Sequence, residues 1–491
     1  MTRESTDYLR RLKTALTGDP ATPLAFLCNF EVEAQWARHH VGLPAPAAAP
    51  TAIVQRMEEL GILLAGPGDV LVVKHAPDEG YLRYLEEDLG VGLPEVLVPE
   101  STTPDRSTAE DLLNSPRALD RLSLLGRRGA QLMPMGTSEH EEKLAVSAQV
   151  PLAVPDAATF ERVNSKIYSR RITEELGLPA VPGWCCESLG ELRDALAEAA
   201  GASKPVVVKD AYGVSGKGLV VLDTPAKADR LLRIVERRAA RTGDDRLAVV
   251  VERWIPKRAD LNYQITVDRR GDVRFDFVKQ ALTERGVHQG HLMPPELGAD
   301  QHALLRRAAA EVGGRLAADG FSGVAGIDAI VAEDERVYPV LEINARLNMS
   351  TYQGGMTELF HQPGHVALAR HYPVRSAAPI VFDDLRRVLG PLLSPAPGGR
   401  VVVTCFGTVN AGTVNAGTVN AGTVNAGTVN AGTVNAGTVD AGTVDAGTGD
   451  GPPHQGRLYT LLTAPDHDRL AALDEAARAA LAGVLQPREG S

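Results

Sequence analysis

The 491-residue chain is short of cysteine, aromatic residues and lysine, and it has no long apolar run. Its four cysteines, Cys28, Cys185, Cys186 and Cys405, are too few for a disulfide framework and lack metal-type spacing. They read as reduced thiols in a cytoplasm. No apolar stretch reaches the roughly 18 residues that a membrane-crossing helix needs. The polar, acid-containing start Met1-Thr2-Arg3-Glu4 does not read as a signal peptide. A net charge of −11 argues against a surface-wide binder of nucleic acid or anionic membrane, so neither is expected as a partner, and only a local basic cleft stays open. Ordinary values of 44 % hydrophobic and 23 % charged residues exclude a disordered chain, a collagen and a coiled-coil rod. The length corresponds to about three domains.

Lysine is the informative scarcity: ten lysines stand against forty-one arginines. A lysine kept against such a bias marks a place where a compact point charge serves and a guanidinium fork does not, or it is a leftover of drift. Also missing is a G-x-G-x-x-G after a strand, so no dinucleotide site is assigned to the N-terminal region.

Residues 1–155 alternate short apolar runs with helical spacing. Leu24–Cys28 and Val70–Val73 read as buried strands, Glu95–Val98 between two prolines as an edge strand, and Thr51–Leu63 as a helix, which together predict a parallel α/β sheet. Beyond residue 156, helical spacing runs from Thr159 to Leu176, and a second helix over 188–200 precedes the strand Pro205–Lys209. Further strands are expected at 247–251, 326–331 and 338–344, and a helix at 300–318. The C-terminal residues 376–491 predict two antiparallel strands, 400–404 and 457–462, with a helix from His467 to Leu485 packed on them. Between those strands, residues 407–446 are eight tandem pentapeptides of Gly-Thr-Val-Asn/Asp-Ala, followed by a decayed unit. Such units offer little side chain for a core and too few coils for a solenoid, so 407–451 reads as a flexible insertion.

Three segments could carry chemistry. In Lys209-Asp210-Ala211-Tyr212-Gly213-Val214-Ser215-Gly216-Lys217-Gly218 a strand delivers a lysine into a glycine-rich loop, whose bare N–H groups can approach phosphate oxygens. The lysine precedes the glycines and a strand follows, which disfavours a Walker loop; a plain glycine hairpin is the alternative. Asp328 and the strand Glu342-Ile343-Asn344-Ala345-Arg346 place two carboxylates and an amide oxygen on neighbouring strands, hard ligands suited to Mg²⁺. The same residues would otherwise make a structural Glu342–Arg346 ion pair. Glu252-Arg253-Trp254-Ile255, with Asp260 a few residues on, leaves a strand end that can read an adenine edge and hold ribose hydroxyls, unless Trp254 is simply core.

Taken together, residues 160–355 resemble the ATP-grasp superfamily in order and spacing. The resemblance implies α/β and α+β architecture: a pre-ATP-grasp α/β domain (1–155), an ATP-grasp domain (156–375) and a small C-terminal unit with the repeat insertion. It implies that Lys166 and Lys209 contact ATP phosphates and that the loop with Gly213, Ser215, Gly216 and Gly218 closes over them. Glu252, Trp254, Ile255 and Asp260 would hold the nucleoside, and Asp328, Glu342 and Asn344 would bind Mg²⁺. Lys279 and Arg346 would act in catalysis, Arg346 on the acyl-phosphate or tetrahedral oxygen. The whole is similar to the peptide ligases of the pheganomycin type from actinobacteria, which join a nonribosomal amino acid to a peptide N-terminus. The implied activity is ATP-dependent ligation of an amino acid-like carboxylic acid to an amine or peptide in specialised metabolism, through an acyl phosphate, with Gly286–His291 either lining the acceptor pocket or forming a surface loop. The rivals are a small-molecule kinase on the same fold and a non-catalytic nucleotide-binding protein. The oligomeric state, a homodimer included, stays open.

Overall fold

A computed structural model of the chain describes residues 5–43, 52–201, 205–213, 218–284, 287–376, 378–413 and 454–482. Three sheets organise them. The first is parallel, with β1 (Leu24–Leu27), β2 (Val70–Val72), β3 (Glu95–Leu97) and β4 (Gln131–Pro134) in the order β3-β2-β1-β4. β3 lies at the edge, where its flanking prolines cost no ladder bonds. β1 is buried on both faces, and its alternate residues enter two different cores. Leu24 and Phe26 face the large core shared with the rest of the chain, and Ala25 and Leu27 face a smaller one with Leu122, Leu132 and Leu144.

The second sheet is antiparallel, with β5 (Gly183–Ser188), β6 (Val206–Asp210), β7 (Leu219–Leu222) and β8 (Arg246–Arg253) in the order β5-β8-β6-β7. The third has nine strands: β9 (Lys257–Val267), β10 (Val273–Glu284), β11 (Val287–Met293), β12 (Gly323–Ala332), β13 (Val337–Asn344), β14 (Val366–Ser376), β15 (Arg400–Cys405), β16 (Gly412–Thr413) and β17 (His454–Ala464). Its order is β13-β12-β9-β10-β11-β14-β17-β15, with β16 paired to β17. β15 and β17 pair antiparallel as expected, but β17 also pairs with β14 along its length, from Val366↔Ala464 to Ser376↔His454. The C-terminal strands therefore extend the central sheet.

Two helices differ from expectation. Thr159–Leu176 is not one helix but two, Ala157–Val163 and Lys166–Glu175, broken at Asn164-Ser165. The Asn164 amide donates to the carbonyls of Phe160 and Ala345, a side-chain bond that competes with the helical ladder. The break makes Lys166 the first residue of a new helix. The predicted 51–63 helix is α-helical only over Ala52–Arg56 and tightens to 3₁₀ over Met57–Leu63. In that turn Glu58 and Glu59 both point inward. Glu58 accepts from Lys74 N and Thr108 Oγ1, and Glu59 accepts from the backbone of Phe406 and Gly407.

The Glu59 contact corrects the start of the insertion. The first repeat unit is part of the fold: Gly407–Asn410 forms a 3₁₀ turn, Thr408 and Val409 are buried, Thr408 Oγ1 donates to Arg457 O, and Asn410 exchanges two hydrogen bonds with Ile380. An identical pentapeptide cannot announce this, because the difference lies in what Glu59 and Ile380 offer to one copy. The rest of the predicted insertion, 414–451, lies outside the described residues.

Replacing 415–451 with a short Gly/Asn turn is expected to leave the melting temperature unchanged or slightly raised, since loop closure favours the shorter loop by about 1–2 kcal/mol. Extending the deletion back to 407 should cost about 2–4 kcal/mol through the lost burial and hydrogen bonds. Equal melting temperatures for the two deletions would contradict the fold-in of the first unit.

Burial, reinforced by the neighbouring Glu31, pushes the Glu58 carboxyl up to about 8. A raised carboxyl holds in the folded state a proton that the unfolded chain releases near pH 4.5. Its contribution therefore declines as pH rises from about 4.5 to 8 and is flat above that. Glu58→Gln should be neutral at pH 4.5 and more stable than the parent by about 2–4 kcal/mol at pH 8.5, in denaturant titrations at both pH values.

Candidate nucleotide and metal site

The functional side chains collect where the second sheet faces the third. A cleft of about 730 Å³ opens between β6–β8 and the start of β9 with β12–β13. Its walls are apolar, with Val181, Val207, Ile255, Ile330 and Leu341, and three ammonium groups border it: Lys166, Lys209 and Lys257. An apolar slot beside a cluster of point cations suits a flat base joined to phosphates. Three of only ten lysines in one cleft answer the question raised by their scarcity.

Lys166 stands at the N-terminus of its helix, 6 % exposed, and its Nζ donates to Gly213 O at 2.8 Å and pairs with Glu342 at 2.8 Å. It thus joins the glycine-rich loop to the third sheet. Lys209, next to last in β6, pairs with Glu252 on the adjacent β8 at 2.7 Å. Burial opposes charge on Lys209, but the Glu252 carboxylate outweighs it and holds the ammonium above its ordinary range. Arg170 approaches Glu252 from the other side at 3.5 Å. Gly218 has φ +80°, and a Cβ there would collide with the Asp210 carboxylate, so this loop position requires glycine. Gly213, Gly218, Glu252, Trp254 and Ile255 border the cleft with the two lysines. Ser215, Gly216 and Lys217 lie outside the described residues. Trp254 is half-buried, and its backbone N–H donates to Pro205 O. Asp260, read as a ribose acid, pairs with Lys257 at 2.8 Å beside the cleft.

The acidic set falls on one row of the third sheet. Lys279 on β10 lies opposite Asn262 on β9, Asn262 opposite Asp328 on β12, and Asp328 opposite Glu342 on β13. Cross-strand partners share a face, so the two carboxylates stand side by side. Burial, then the charge of Glu342, pushes the Asp328 carboxyl well above its ordinary range. Asn262 and Asn344 each donate an amide N–H to one Asp328 oxygen, at 2.8 and 3.2 Å. Two adjacent carboxylates with one another's charge to offset form a hard-oxygen donor set that fits Mg²⁺. Among the described residues no group of three or more His, Cys, Asp and Glu converges, so a metal here would need an amide or the ligand itself as its third donor. Asn344, expected as that donor, is turned to bridge Asp328 and Arg346, because its Oδ1 accepts from the Arg346 guanidinium.

Arg346 lies past the end of β13. It pairs with Glu33 of the N-terminal domain instead of with Glu342. Lys279 is not brought to the cleft. It is fully buried, donates to Ser350 O and Gln353 Oε1, and burial lowers its ammonium to about 7. Its place is beneath the segment that follows Arg346. His291 is buried on β11, also away from the cleft, and the His288 side chain lies outside the described residues. Sequence reasoning missed Lys257, Asp210 and Arg170. The lysine count could have flagged the first; the other two have no local signature.

Residues 57–150 match the Pre ATP-grasp domain family, residues 165–355 the carbamoyl-phosphate synthase L chain ATP binding domain, and 404–448 the pentapeptide repeats in eight copies. A [butirosin acyl-carrier protein]–L-glutamate ligase from Niallia circulans is 29 % identical over 307 residues, 61 % of this chain and 66 % of that protein. Biotin carboxylase 1 of Bacillus subtilis is 22 % identical over 207 residues, 42 % of this chain and 45 % of that protein. The chain thus spans just under two thirds of the first relative and less than half of the second. Among solved structures, an N5-carboxyaminoimidazole ribonucleotide synthetase with ADP superposes with a TM-score of 0.50 at 12 % identity, covering 94 % of this chain and 96 % of that one. Biotin carboxylase from Campylobacter jejuni gives a TM-score of 0.50 at 13 % identity, covering 95 % of each chain. No described helix is long and apolar enough to cross a membrane. Residues 57–150 and 165–355 thus match a pre-ATP-grasp domain and an ATP-grasp domain, in the order the motifs require.

Proposed function

We propose that this chain is an ATP-dependent carboxylate–amine ligase. The observation that carries the reading is the pairing of Lys166 and Lys209 with Glu342 and Glu252 at one apolar cleft, next to the Asp328–Glu342 row. Nucleotide phosphates compete with those glutamates for the lysines. The base occupies the slot between Val207 and Leu341, and Asp260 serves the ribose. Asp328 and Glu342 would hold Mg²⁺, which would offset the charge of the phosphates. A substrate carboxylate oxygen attacks the γ-phosphorus; the P–O bond to ADP breaks and an acyl phosphate forms. An amine then attacks the acyl carbon, gives up a proton and expels phosphate to leave an amide. The protein's own part is to align these groups and stabilise charge. Arg346, at the edge of the row, holds oxygen charge on the acyl phosphate once its grip on Glu33 loosens. The relative that ligates glutamate to a carrier protein supports an amino acid as the acid and specialised metabolism as the setting. Four free thiols support a cytoplasmic location as part of this reading.

Lys209→Ala should raise the Kd of ATP about tenfold or more, corresponding to about 1.4 kcal/mol, by calorimetry on a folded variant. Unchanged affinity would contradict the cleft assignment. Hydroxylamine added with ATP, Mg²⁺ and amino acid mixtures should yield a hydroxamate together with ADP, and Glu342→Ala should abolish it. ADP release without hydroxamate would favour the kinase on the same fold.

A further inference from the structure

We infer that Asn262 and Asn348 form a two-point subsite for the acid substrate, and that what it reads is the paired ammonium and carboxylate of an α-amino acid. The inference rests on the ligase reading and adds the residues that select the substrate. Among the described residues, two amide atoms beside the Asp328 row have no hydrogen-bond partner: Asn262 Oδ1 and Asn348 Nδ2. The two residues are only 9 % and 8 % exposed, so these are stranded polar atoms, which normally cost stability.

Their orientation is set by the other half of each amide. Asn262 turns its Nδ2 to Asp328 Oδ1, and reversing it would set two oxygens against each other. Asn348 caps the short helix Met349–Tyr352 with its Oδ1, which accepts from Ser350 N at 3.0 Å, so its Nδ2 must face away. One stranded acceptor and one stranded donor are thereby fixed on the face that carries the carboxylate row. Both side chains close on Gly326: a Cβ there would collide with Asn348 Nδ2 and come within 3.6 Å of Asn262 Nδ2, so glycine lets the two amides approach one another. A lone donor would suit any anion. A donor beside an acceptor, both desolvated, suits a group that carries both signs close together. The α-ammonium donates to Asn262 Oδ1, and one carboxylate oxygen accepts from Asn348 Nδ2, leaving the second oxygen for phosphoryl transfer. Sites built this way discriminate sharply, because an analogue lacking one partner leaves the buried atom stranded.

The test is calorimetric binding of L-amino acids and their desamino analogues to the full chain loaded with a non-hydrolysable ATP analogue and Mg²⁺. At least one L-amino acid should bind, and its desamino analogue about tenfold to 100-fold more weakly. Asn348→Asp keeps the helix cap, since aspartate caps as well as asparagine, but turns the free donor into a negative acceptor. It should weaken the amino acid about 100-fold, and Asn348→Ser, which keeps a cap and removes the donor, about tenfold, with the melting temperature and the affinity for the ATP analogue unchanged in both. Equal binding of desamino analogues, no effect of Asn348→Asp, or no amino acid binding at millimolar concentration overturns the inference while leaving the ligase reading intact. Failure of the ATP analogue to bind the parent chain overturns both.

Discussion

The cleft depends on one buried ammonium. Lys166 Nζ holds a loop carbonyl of the second sheet, Gly213 O, and a carboxylate of the third, Glu342, so a single side chain fixes the distance between the two walls. It can do so because the backbone breaks at Asn164-Ser165 and restarts a helix with Lys166 at its first turn, its backbone N–H bonded to Ala211 O. A continuous helix would direct the lysine elsewhere. Losing such a charge leaves Glu342 buried and uncompensated, a larger penalty than the pair's own contribution.

The remaining charges follow the same logic. Lys209 with Glu252, Lys257 with Asp260 and Arg346 with Glu33 each set a cation of the site against a carboxylate that burial has partly stripped of water. These pairs keep the charges near the phosphates' expected path. The Arg346–Glu33 pair also ties the N-terminal domain to the row of acids, because Glu33 lies just past the C-terminal end of β1. That end of a parallel sheet is where open α/β folds place ligands.

Much of this was legible in the residues. β1, β2 and β3 announced themselves as apolar runs between turn residues, and of the lysines that the site motifs singled out Lys166 and Lys209 border the cleft whereas Lys279 does not. The site motifs were legible as a set, because strand–loop–strand after Lys209 and the Asp328/Glu342 spacing each constrain one wall. What was not legible depends on distant partners. The helix break at Asn164 needs Ala345 O; the burial of Lys279 needs Ser350 and Gln353; the turn of Asn344 needs Arg346 engaged with Glu33. The first pentapeptide is identical in sequence to its neighbours and differs only in having Glu59, Ile380 and Arg457 beside it.

The most direct measurement is a crystal structure of the chain with Mg²⁺ and a non-hydrolysable ATP analogue. The account predicts phosphate oxygens within hydrogen-bond distance of Lys166 and Lys209, the metal on Asp328 and Glu342, and the adenine in the slot between Val207 and Leu341. A nucleotide bound elsewhere, or one bound here with both lysines still on their glutamates, would contradict it.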